Sequence, residues 1–471
     1  MSSGGIMRTR FVNLRIPGMG NETPRAEILV TDGLIEEVLE DNSQTAVGGE
    51  QWVDLNDALV LPGLIDGHVD LADPGFPLRG DFSSGTAAAA AGGVTCIVDL
   101  PCSSDPPVTT EESLDFKARV VSSKAHVDFM LWGGISGNTY ELGDWKKTLL
   151  GFVESGVAAI HLSMRSDLSD CRELDFEQMA EVTQEAWRLG IPVGLHAEAP
   201  DPIRAAIRER RDMGTDGPSA WSGAHPTDSE YSAIAVAREL CRSTGVKLHL
   251  LGVASGDGLD LVLEGRQEGL PLSAGTCPAY LEFCTDDFHR KGSVLKLSPA
   301  LKAMEDRYRL WQGLRDSSIQ FVNSGHVATQ WPEEKNTGSI WTDRSGFPGI
   351  QSTLPYLYSE GVSTGRISLE RMIELISSGP ARFFGIDHLK GALKPGMHAD
   401  FVVFDDNQSW EIRASTIHGL NRFTPFEGAR WTGRVRATYV RGNCVYRLSP
   451  DGREMFGTPG SGQWVTRGQQ R

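Results

Sequence analysis

No run of about 18 apolar residues occurs in the chain, which excludes a membrane-spanning helix. The opening stretch MSSGGIMRTRFVNLRIPG lacks the apolar core of a secretory leader, so a cytoplasmic protein is expected. Cysteine is scarce. The seven residues Cys96, Cys102, Cys171, Cys241, Cys277, Cys284 and Cys444 are odd in number and form no C-x-x-C pair. Most lie in apolar segments such as GGVTCIVDLP, where a free thiol packs as a small hydrophobe, and this fits a reducing compartment. Positive charge is also short. The formal charge of -17 argues against nucleic acid and anionic membranes as partners. No G-x-G-x-x-G opening marks a dinucleotide fold.

Glycine, by contrast, is abundant, and it recurs at the ends of apolar segments as strand-to-helix turns require. Between residues 62 and 389, β-type runs alternate with helical ones. GLIDGHVD, GVTCIVDLP, VDFMLWGG, VAAIHLSM, IPVGLHAE, VKLHLLGVAS, LPLSAGTC and IQFVNSGHV read as strands. DFEQMAEVTQEAWRLG carries Phe176, Met179, Val182 and Ala186 at helical spacing. About eight such alternations predict an α/β fold, a parallel (β/α)8 barrel over 62–389. Residues 1–61 and 390–448 are β-rich flanks expected to pair into one small sheet domain. The polar, glycine-rich tail 449–471 is expected to be mobile.

Chemistry-bearing residues gather at predicted strand ends, the active face of a barrel. His68 and Asp70 close the first strand, two apart and so on one side of an extended chain. His161, His196, His249 and His326 end or follow later strands. Converging imidazoles and a carboxylate suit zinc, which would acidify a bound water. A lone strand-end histidine is more often a structural group, so the argument rests on their number. Asp66 and Asp99 read as orienting residues, and His249 as core. Asn323 and Ser324 are candidate ligand donors, with backbone hydrogen bonding as the plainer role.

These segments resemble the cyclic-amide hydrolases of the amidohydrolase superfamily, allantoinases first, then dihydroorotases and hydantoinases. LPGLIDGHVDLADPG is similar to that family's first-strand signature, and DFSSGTAAAAAGGVTCIVDLP to its second strand. LWGGISGN, TCPAYLEF, LKLSPALK, KGALKPGMHADFVVFD and FTPFEGARWTGRVRATYVRGNCVY extend the similarity from about residue 8 to 448. The resemblance implies a barrel plus a β-sandwich built from both flanks.

It also implies six metal-contacting positions, of which this chain retains few. His68 and His196 are kept. Asp70 replaces a histidine, and His161 stands where a lysine would be carboxylated, so no carboxylated lysine is expected. Gly252 replaces a histidine and Gly325 the catalytic aspartate. Ala72, Gly275 and Ala279 depart from further family residues, which weakens dihydroorotate and allantoin as substrate guesses. A paired-metal centre is therefore not expected. A single divalent cation, zinc foremost, on His68, Asp70, His161 and His196 is the expected cofactor.

Three functions follow. The first is hydrolysis of a cyclic amide or ureide at an altered, at most mononuclear metal centre, the metal polarising the carbonyl or activating water, with Asp70 or His326 as proton shuttle and Asn323, Ser324 and Cys277 near the substrate. The second is a silent structural subunit beside a catalytic partner. The third is metal-free chemistry by His161, His196, His326 and Cys277, although a packing role for Cys277 is the plainer reading. His225, in GAHPTDSE, is a weaker pocket candidate. A small-molecule substrate and a homodimer or homotetramer are expected from the resemblance.

Overall fold

The computed structural model describes residues 8–17, 25–40 and 50–469. The predicted staves are present as short parallel strands. One sheet joins Gly133–Gly134, Ile160–Ser163, Val193–His196, Leu248–Leu250, Leu272–Thr276 and Phe321–Val322. A second joins His326–Val327, Leu64–Asp70, Val94–Asp99 and Asp128–Leu131. The expected closed barrel is thus two parallel arcs. The chain itself carries one into the other at Trp132, whose N–H donates to Asp99 O while Gly133 N–H donates to Ala159 O.

Local signals explain the intervening helices. Phe176–Arg188 begins with a reciprocal cap, in which Gln178 N donates to Asp175 Oδ1 (2.8 Å) and Asp175 N to Gln178 Oε1 (3.0 Å). Met179, Val182 and Ala186 bury their side chains as their spacing predicts. Phe176, at the first helical position, stays exposed.

The two flanks pair into one eight-stranded mixed sheet, with Phe401–Glu411 antiparallel to Glu50–Pro62. Strand alternation divides its side chains between two cores. Val60, Phe401 and Val403 join Phe11 and Tyr439 in the sheet's own cluster. Leu59, Leu61, Val402 and Phe404 instead join the large cluster around the parallel strands.

The tail corrects the expectation of mobility. Glu454–Phe456 adds an edge strand, and Val465 N donates to Phe129 O at 2.8 Å. Gly462 packs so close to the chain that an added Cβ would sit 2.0 Å from Val127 O. A buried charge cluster fixes these parts together. Lys390 Nζ lies 2.7 Å from Asp128 Oδ2 and also bonds Asp400, while Arg441 pairs with Asp128 and donates to Ser461 O in the tail. Cys102 and Cys171 form a disulfide, with Cα atoms 6.0 Å apart, a pairing that the cysteine pattern did not indicate. Among the described residues no helix is long and apolar enough to cross a membrane.

Candidate active site at the strand ends

The C-terminal ends of the parallel strands open into a cavity of about 1270 Å3. His68, Asp70, His161 and His196 all line it. Asp66 holds the first strand end in place, accepting from His68 N (3.3 Å) and Ser324 N (3.2 Å). Gly194 leaves room for Trp132, whose ring would lie 2.5 Å from a Cβ there. Trp132 in turn stands edge-on to His161 and donates to Gly67 O at 3.1 Å.

Two of these imidazoles, His68 and His161, are held uncharged at neutral pH. Burial, reinforced by the charge of His196, lowers His68 to about 4. Burial and both neighbouring imidazoles lower His161 to about 3. His196 is anchored by a residue that the sequence reading passed over. Its Nε2 lies 2.9 Å from Glu198 Oε2, which also accepts from Ser298 Oγ (2.8 Å) and Arg165 (3.4 Å). Burial alone would raise the Glu198 carboxyl, but bonding to His196 and the charges of His196, His225 and Arg165 hold it well below the ordinary range. The Nδ1 of His196 has no protein partner among the described residues and is not a buried atom.

The expected metal quartet does not close. No three of its ligand atoms lie within 4.8 Å of one another among the described residues. Asp70 lines the cavity beside the histidines and also faces a cation. Its Oδ2 faces Arg344 at 3.5 Å, and its buried Oδ1 has no partner. Among the described residues, the group of three whose ligand atoms lie within 4.8 Å of one another is Asp128, His398 and Asp400. That trio sits at the start of a strand, away from the cavity, and Lys390 and Arg441 already neutralise its carboxylates. Gly252 and Gly325 contribute no side chain, and both have positive φ, +72° and +61°. The residues present at the strand ends therefore do not fit the paired divalent ions of related hydrolases, nor a single ion held by the quartet as arranged.

Other expected site residues divide. Asn323 lines the cavity. Its Oδ1 accepts from Gly67 N (2.9 Å), and its buried Nδ2 has no partner. Cys277 lines it too, but burial pushes the thiol up to about 11, so it stays protonated and poorly nucleophilic. Ser324 is corrected to a structural role, since its Oγ accepts from His326 N at 3.1 Å and it does not line the cavity. His326 is corrected likewise. Gly325 and Val327 line the cavity, so alternation sends His326 to the opposite side, where Nδ1 accepts from Ile350 N at 3.4 Å. It cannot shuttle a proton to a substrate in this cavity. His249 packs flat on Phe321 as a core residue, and His225 bonds Trp221 O. Asp99 orients the face, accepting from Leu71 N (3.0 Å) and pairing with fully buried Lys117.

Glu198 was within reach of the sequence, since it lies two residues past His196. Arg165, four residues past His161, and Lys117, inside a helix, carried no comparable signal.

The fold and these strand ends belong to a recognised class. The profile described as "Amidohydrolase family" matches residues 59–445. The chain belongs to the amidohydrolase family. It is 33% identical over 437 residues to an allantoinase of Deinococcus radiodurans, covering 92% of this chain and 94% of that one. It is 32% identical over 447 residues to an L-hydantoinase of Paenarthrobacter aurescens, covering 94% of each. A solved L-hydantoinase (dihydropyrimidinase) from Arthrobacter aurescens superposes with a TM-score of 0.91 at 29% identity, covering 98% of this chain and 99% of that one. These relatives bear out the resemblance to allantoinases and hydantoinases.

Proposed function

We propose that this chain hydrolyses a ring C–N bond of a cyclic amide or ureide, using side chains in place of a paired-metal centre. The observation that carries the reading is His196 anchored through Nε2 by buried, ionised Glu198, with Nδ1 left open beside the cavity. Similarity to allantoinases and an L-hydantoinase over nine-tenths of the chain supports the substrate class. In this scheme Nδ1 takes a proton from water as its oxygen attacks the ring carbonyl. Glu198 stabilises the imidazolium so formed. The unpartnered Asn323 Nδ2 supplies a donor for the carbonyl oxygen as it gains charge. When the C–N bond breaks, the imidazolium returns its proton to the leaving nitrogen, and His196 is neutral again.

A second reading, a silent subunit beside a catalytic partner, draws support from Gly252 and Gly325, which contribute no side chain. One experiment separates the readings. Purified chain, with its metal content measured, is assayed against cyclic ureides, imides and amides, alone and with chelator. Chelator-insensitive ring opening abolished in His196→Ala supports the first. No turnover of the panel, with a catalytic protein co-purifying, supports the second. Stoichiometric bound zinc with chelator-sensitive activity would restore the metal site that the sequence led us to expect and overturn the metal-free scheme.

A further inference from the structure

Above the histidines, the cavity wall is built of cations stacked on indoles. Lys296 Nζ lies 4.1 Å from the centre of the Trp221 ring, and Arg165 Cζ lies 5.9 Å from it. Trp221 neighbours Trp341 at 6.3 Å, and Arg211 stands 5.7 Å over that second indole. All five side chains line the same cavity, with Arg344 beside them.

These cations are incompletely compensated. Lys296 is buried, and its hydrogen bonds go to the carbonyls of Ile340 (2.7 Å) and Asp343, not to a carboxylate. Arg211 has no ion pair among the described residues. Arg344 reaches Asp70 only at 3.5 Å, and its buried Nε has no partner. Arg165 is the exception, pairing with Asp167 at 2.6 Å as well as with Glu198. Burial lowers Lys296 to about 8; Asp343 and Asp167 oppose that shift, and the positive charges of Arg165 and Arg211 add a smaller lowering. An anion bound among these cations would supply the compensation that the protein's own carboxylates leave incomplete.

We propose that this wall is an anion-recognition site, in which Lys296, Arg211 and Arg344 take a carboxylate or phosphate group carried on the ligand outside the ring. The indoles supply flat apolar surface beside the charge, and Asn323 Nδ2 marks the deeper, neutral end of the cavity. The site stands on its own geometry. Only its assignment to a substrate rests on the ring-opening reading above.

The test is equilibrium binding by calorimetry on the intact chain, with glutarate, inorganic phosphate and the uncharged glutaramide as probes. Glutarate should bind at least about tenfold more tightly than glutaramide, and the salt dependence should be that of a charge contact. Arg211→Gln, on an exposed helix face, and Arg344→Gln should each weaken anion binding about tenfold, and Arg211→Gln should leave the thermal midpoint close to that of the parent. Tighter binding of phosphate than of glutarate would assign a phosphoryl group, and the reverse a carboxylate. Equal affinity for glutarate and glutaramide, failure to bind either anion, or unchanged affinity in both variants would overturn the proposal. Anion binding by a chain that opens no ring leaves this site standing and removes the hydrolase reading. Opening of neutral rings without anion binding does the reverse.

Discussion

Glu198 Oε2 lies 2.9 Å from His196 Nε2 at the end of one parallel strand, and the carboxylate is almost wholly buried. The pair fixes which imidazole nitrogen is free and orients the ring. Replacing Glu198 with Gln preserves shape but removes the charge that stabilises an imidazolium. Turnover of a ring substrate should fall roughly 10²- to 10⁴-fold with little change in KM. Steady-state kinetics of Glu198→Gln beside His196→Ala checks this. Equal rates in Glu198→Gln and the parent would remove the pair from the mechanism.

Acid should weaken the fold through His326. Burial lowers His326 to about 4, while an unfolded histidine takes its proton near 6.5. Between those values the unfolded chain binds the extra proton. The contribution is therefore complete above about pH 6.5 and lost as pH falls toward 4. For this one residue the loss is on the order of 3 kcal/mol. Chemical denaturation of His326→Gln across that window should give a flatter stability profile than the parent; parallel profiles would contradict the assignment.

His326 also shows where the sequence could be read and where it could not. Strand ends alone brought His68, His161 and His196 to one cavity, because parallel staves deliver their last residues to one face. Parity misplaced His326. The short strand His326–Val327 follows an irregular turn at Gly325, and no pattern in NSGHV says which residue faces inward. Asp70 has the right parity and lines the cavity, but its contact with Arg344, 274 residues later, had no local signal. The disulfide between Cys102 and Cys171 and the packing of the tail on Phe129 are likewise long-range, set by which loops the parallel strands bring together.

The cluster at the other end of the strands should matter to stability alone. Lys390 places its ammonium between Asp128 and Asp400, and all three are buried. Lys390→Met would leave two carboxylates sharing Arg441 and should cost about 3–5 kcal/mol in urea unfolding. Lys390→Met combined with Asp128→Asn should recover part of that loss. A single variant as stable as the parent would mean that the buried pair contributes no net stability.

The two glycines permit the strongest check on how this cavity parted from its relatives. Gly325 and Gly252 have left-handed backbone, a region that Asp and His enter more readily than most side chains. Space is also present. A Cβ at 325 would meet Cys277 at 3.5 Å, and one at 252 would meet Pro299 at 3.7 Å. Gly325→Asp and Gly252→His should each cost only about 1–2 kcal/mol. Combined with Asp70→His and His161→Lys, they return every ligand type that the resemblance implies. The quadruple variant should then retain divalent metal through dialysis, read by elemental analysis, where the parent retains none in this cavity. Stoichiometric metal in both proteins would show that the strand-end histidines already close on an ion unaided, and the metal-free scheme would fail with it.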